Sequence, residues 1–132
     1  MTLRVNPAVL RAALWTTAVA NLAVAAMLLF PQSTAGRLAG LPQEPSPLVL
    51  RAMLALMIAM FGLAYAWLAR REPIDRALLG FAAIGKFGAF GLVSGLWIAG
   101  QASGRFALLM CGDLVFAALF AAWLLGAERR AP

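Results

Sequence analysis

The residue in this sequence with the clearest capacity for chemistry is Lys86, set within the apolar run GFAAIGKFGAFGLVSGLWIAG (80–100). Asp113 is the one acidic residue inside any apolar run. A charge at membrane depth is expensive and is kept where another group answers it, so the two are expected to pair. Asn21 and Thr17, one helical turn apart in the first apolar run, are the polar groups closest to them in character. Four chemistries suit this set: a proton relay, an ion path, a pocket for a polar headgroup, or a Schiff base on Lys86 with Asp113 as counter-ion. The structural alternative is helix glue, in which the same groups bond helix to helix in lipid at roughly 1 kcal/mol or less each.

Other chemistries are excluded by count. There is no histidine and one cysteine, Cys111. An internal disulfide and a Cys-x-x-Cys redox couple are therefore impossible. Histidine zinc sites, bis-histidine haem and the Glu-x-x-His di-iron motif are equally absent. No metal site and no catalytic constellation is read from the sequence, and no cofactor is identified, a quinone or a lipid being the ligands such a slab could take.

The elements that must position these residues are helices in a membrane. Hydrophobic residues make up 64% of the 132 and charged ones 12%, against roughly 45–50% and about 25% in an average globular domain. A chain this short cannot hide that excess in a core, so it must face lipid. The net charge of +6 does not point to nucleic acid, because the arginines stand at the ends of apolar runs instead of along a solvated face. They read as topology determinants and contacts to membrane lipids.

Four spans are expected, at about 8–30, 48–69, 77–99 and 106–126, each long enough for a hydrocarbon core of roughly 30 Å. They make one domain, an all-α integral membrane protein folded as an antiparallel four-helix bundle. Asn6 and Pro7 read as N-cap and first residue of the first helix. Its apolar run exceeds the roughly 7–15 residues of a signal-peptide core, so it is read as a span. The proline-rich loop 31–47 is expected to hold a short interfacial turn at 36–41, with Arg37 at headgroup level. Arg51 falls in the first turn of the second span, and Tyr65 and Trp67 near its other end read as an interfacial belt. RREPIDR (70–76) is a charged hairpin in which Pro73 is placed to begin the third helix.

The cytoplasmic side is expected to carry the lysine and arginine excess. Arg4, Arg11, Arg70, Arg71, Arg76, Arg129 and Arg130 share one side, against Arg37, Arg51 and Arg105 on the other. Both termini are thereby expected in the cytoplasm. At about 1.5 Å of rise per residue, Lys86 lies roughly 13 Å from the cytoplasmic side and Asp113 and Asn21 roughly 19 Å, with Thr17 one turn below. A lysine stem can bridge an offset of about 6 Å.

At helical spacing Gly80, Gly85, Gly88, Gly91 and Gly95 cluster on one side of the third span, and Lys86, Phe90, Val93 and Trp97 on the other. The glycine side, with its Gly91-x-x-x-Gly95 signature, suits close approach of another backbone, in this bundle or in a second protein. Met53, Met57 and Met60 form a stripe on the second span, read as packing or as adaptable lining for an apolar ligand. Cys111 beside Gly112 reads as a small packing residue.

The stretches NLAVAAMLLFPQ (21–32), GLAYAWLARREP (62–73), GKFGAF (85–90) and GDLVFAALF (112–120) resemble the small bacterial four-span proteins grouped as DoxX-like. In that pattern the Asn of span one, the Gly-Lys of span three and the Asp of span four recur, matching Asn21, Gly85-Lys86 and Asp113. The resemblance implies an antiparallel membrane bundle in a bacterial inner membrane, and no set activity. Members tied to quinone-linked oxidoreductase systems imply a partner role.

Three functions follow. The first is an accessory or structural subunit docking in lipid onto a larger membrane complex, of the electron-transfer kind, with other membrane subunits or further copies of itself as partners. The second is a binder or enzyme for a lipid, quinone or sterol-like molecule at Asn21, Lys86 and Asp113. The third is a channel or transporter, which a chain of this length would have to build as an oligomer.

Overall fold

A computed structural model describes residues 6–128. It holds five helices in the order α1 (Pro7–Leu29), α2 (Thr34–Leu38), α3 (Leu48–Arg70), α4 (Arg76–Ile98) and α5 (Gly104–Glu128). Four of them, α1, α3, α4 and α5, are long and apolar enough to cross a membrane. The fold is the expected all-α, four-helix antiparallel bundle, and it is that of a multi-pass membrane protein.

Helix limits follow local chemistry. Asn6 caps α1 by accepting the Ala8 N–H at 2.9 Å, with Pro7 in the first turn. The hairpin departs from expectation: α4 starts not at Pro73 but at Arg76, because Asp75 accepts the Leu78 N–H at 3.0 Å and so sets the cap. Pro73 sits in the turn before it, after a cis peptide bond. The short helix α2 starts two residues earlier than the expected turn, since Ser33 accepts the Gly36 N–H at 3.1 Å.

Both α2 and α4 close on a glycine in the left-handed region, Gly40 at φ 74° and Gly100 at φ 73°. In each the two following N–H groups turn back: Gly40 to Arg37 and Leu41 to Gly36, Gly100 to Trp97 and Gln101 to Leu96. That is the Schellman arrangement, and it satisfies carbonyls the helix end leaves open. Gly40 is doubly constrained, since a Cβ there would meet the Ser103 hydroxyl at 2.3 Å.

The helices pack as two close hairpins, α1 with α3 and α4 with α5. In the first hairpin the backbones come close at Gly62 of α3, where a Cβ would lie 3.1 Å from the Ala18 carbonyl and 3.3 Å from Asn21 Cβ. Between the hairpins the core is made by side chains. Leu10, Leu14 and Ala18 meet Tyr65, Leu68 and Ala69, then Ile74, Leu79, Ala82, Ala83 and Phe120.

Each end of the bundle is tied separately. At the end that holds the 70–76 hairpin, Arg11 pairs with Glu72 at 3.0 Å, and Arg76 donates to the Leu124 carbonyl at 3.3 Å. Arg70 and Arg71 cover Trp15 and Trp67. At the other end Ser103 donates to the Gly40 carbonyl at 2.7 Å, joining the two hairpins through their loops.

A candidate intramembrane site

Lys86 is carried into the bundle by the face of α4 that also buries Leu79, Ala82, Ala83 and Val93. Its ammonium donates to the Asp113 carboxylate of α5, the pairing expected from the sequence. Two rings complete the enclosure: Tyr65 of α3, its centroid 5.4 Å from the lysine nitrogen, and Phe116 of α5 at 5.9 Å. A cation over an aromatic face gains where water is excluded. The lysine side chain is 5% exposed and the aspartate 24%, so the cation is sealed and the anion keeps an opening.

Tyr65 is therefore not an interfacial belt residue, as its position near a helix end suggested. It is buried, 6.3 Å from Phe120 between ring centres, and it lines the lysine. Trp67 is exposed and lies under Arg71. Depth along a helix reads off a sequence, but the direction a side chain takes around the helix depends on neighbours, and Tyr65 falls on the inner side.

The expected slab of four polar residues divides. Asn21 donates its amide to the Ile58 carbonyl of α3 at 3.4 Å, binding α1 to α3. Thr17 is fully buried, and its hydroxyl makes no hydrogen bond among the described residues. Neither bonds to Lys86 or Asp113. The arrangement is thus one ion pair within the second hairpin and one amide–carbonyl bond within the first. Among the described residues no group of three or more histidine, cysteine, aspartate or glutamate side chains could hold a metal.

The other singled-out residues face outward. A Cβ at Gly85, Gly88, Gly91 or Gly95 would meet nothing within 4 Å, whereas at Gly80 it would touch Leu124 at 3.9 Å. Among the described residues Gly85, Gly88, Gly91 and Gly95 of α4 pack against no span, and between the long helices it is Gly62 that admits a neighbouring backbone. Its signal in the sequence was a small residue on α3 opposite Ala18 on α1. Met53, Met57 and Met60 are each more than half exposed on the outside of α3, away from the ion pair. Cys111 is also exposed, its thiol donating to the Ala107 carbonyl at 3.6 Å, so it is not an internal packing residue.

Comparison with protein-family models, with curated proteins and with solved structures finds no match to this chain.

Proposed function

We propose that this protein is an accessory subunit that docks by the outer face of α4 against a transmembrane helix of a larger membrane complex. The observation that carries this reading is the open row of Gly85, Gly88, Gly91 and Gly95. A glycine in a helix interior is destabilising by roughly 0.5–1 kcal/mol relative to alanine. Four in a row with no neighbour leave that cost unanswered inside the chain, and close helix approach in lipid is the contact that small residues permit. The sealed Lys86 agrees, since a charge enclosed by Asp113, Tyr65 and Phe116 serves packing better than turnover.

The arginine count supports both termini in the cytoplasm with the 31–47 loop on the far side, and the resemblance to DoxX-like proteins supports a bacterial inner membrane. The resemblance to DoxX-like proteins makes an electron-transfer assembly the host to test first. Native mass analysis of the protein extracted from its own membranes in mild detergent tests the reading. A defined assembly with stoichiometric foreign subunits, lost on Gly88→Leu or Gly91→Leu while the chain stays folded, is the expected result. A single chain, or copies of this chain alone, overturns it.

A second reading rests on Asp113. Its carboxylate accepts from Lys86 and retains exposure, so a ligand reaching it has to donate a hydrogen bond, as a quinol or a sterol hydroxyl does. Such a ligand retained through purification and lost in Asp113→Leu is the result this reading requires.

A further inference from the structure

An open recess of about 510 Å³ lies between the end of α1 and the start of α3, bounded by Leu29, Phe30, Pro31, Gln32, Ser33 and Arg51. We infer that it binds the phosphodiester headgroup of an anionic membrane lipid, with Arg51 as the principal contact.

Arg51 is the observation that points to an anion. It is half-buried, its Nε is shut away from solvent, and that nitrogen finds no hydrogen-bond acceptor among the described residues. Nor does the guanidinium make an ion pair or ring contact with any of them. The other half-buried arginine among the described residues, Arg11, also has an Nε without an acceptor, but its charge is answered by Glu72, and Arg70 and Arg71 have tryptophan rings. A guanidinium carries five donors in a planar fork that matches phosphate, and it is the side chain suited to that contact. No carboxylate lines the recess, and Gln32 and Ser33 add polar groups beside it. The recess also borders the first turn of α3, whose cap position, Pro47, supplies no side-chain acceptor, so the positive end of that helix is left to another anion.

The walls are held in place. Gln43 donates to both the Pro31 and Leu41 carbonyls, at 3.0 and 2.8 Å, and straps the loop. Gly36 lies so close to Pro31 that a Cβ would come within 2.4 Å of its carbonyl oxygen. Ser33 is fixed as the cap of α2 by the Gly36 N–H. A binding surface fixed before the ligand arrives loses less order on binding.

Position selects a lipid over a free anion. Leu48, Val49 and Leu50 are exposed immediately before Arg51, and Phe30 is exposed on the facing wall. Apolar side chains that face outward up to the first turn place hydrocarbon at that level. Arg51 lies about one turn inside that end of α3, from where its long stem can carry the guanidinium back up to the level of lipid phosphate. The inference does not depend on α4 docking, and its failure would leave that proposal standing.

The test is native mass spectrometry of the full chain in detergent, titrated with phosphatidylglycerol and, separately, with phosphatidylcholine of the same acyl chains. One phosphatidylglycerol is expected to bind in preference to phosphatidylcholine. Arg51→Gln is expected to weaken it by about tenfold or more, as loss of charged hydrogen bonds predicts. Arg37→Gln, an exposed arginine of the same end, is expected to leave it unchanged. Equal binding of both lipids, or of phosphatidylglycerol by wild type and Arg51→Gln, overturns the inference. So does displacement of the lipid by an equal concentration of soluble glycerol phosphate, which would mark a free-anion site. If Arg51→Gln does not fold, Arg51→Lys carries the test: weaker binding is expected from loss of the fork, and unchanged binding overturns the proposal.

Discussion

The Lys86 ammonium lies 5.4 Å from the centre of the Tyr65 ring, which brings α3 into a charge pair otherwise made by α4 and α5 alone. The ring joins the two hairpins at the one buried cation among the described residues. Tyr65→Phe keeps the ring and its volume and is expected to change stability by less than about 1.5 kcal/mol. Tyr65→Ala removes both and should cost about 3–5 kcal/mol. Unfolding in mixed micelles followed by circular dichroism measures this, and equal losses in the two variants would show that the ring itself contributes nothing.

The pair should behave as a unit. Lys86→Met alone, or Asp113→Leu alone, strands a charge among apolar groups and is expected to cost roughly 3–5 kcal/mol. The double change removes both charges and should lose less than either single change. A double-mutant cycle on the same unfolding measurement decides it, and losses that simply add would mean the two are not coupled.

Two glycines on different helices should respond oppositely. Gly62 faces the Ala18 carbonyl at a distance where a Cβ is already tight, so Gly62→Leu is expected to destabilise by about 1–3 kcal/mol or more through overpacking. Gly88 has open space around it, and Gly88→Leu should leave the melting temperature of the isolated chain unchanged or raise it. A Gly88→Leu chain that unfolds as readily as Gly62→Leu would place that face inside the bundle.

Orientation can be read with thiol labelling. In a Cys111→Ala chain, cysteines at Ser46 and Gln101 lie in exposed loops of the same end. Both are expected to react with an impermeant reagent from the periplasmic side of intact cells. Reaction only after lysis would reverse the topology.

Much of the fold was legible because apolar length is a strong signal. Each span ends within about two residues of where the sequence suggested, and helix ends fray over about that length. The Lys86–Asp113 pair was legible for a related reason, since each is the lone charge of its run and has no other partner in lipid. Rotation about the helix axis was not. In water an apolar stripe shows which way a helix faces, but a span bathed in lipid is apolar all round, so nothing in the sequence turned Tyr65 inward or Asn21 toward Ile58. Pro73 misled for a local reason: Asp75 competes for the same helix start and wins by capping an N–H. In the sequence Arg51 is an end-of-span charge, and its missing acceptor emerges only once the loop 31–47 is folded against it.

Lys86 and Asp113 belong to consecutive long helices, separated by a turn that Gly100 closes tightly. This bears on how the protein is made. The first hairpin contains no charge in the interior of its spans and can enter the bilayer as it leaves the ribosome. Helix α4 cannot settle in the same way, because its lysine has no counter-charge until α5 has been synthesised. The second hairpin therefore gains by integrating as a pair, and a chain interrupted between residues 100 and 113 would carry an unneutralised cation at membrane depth.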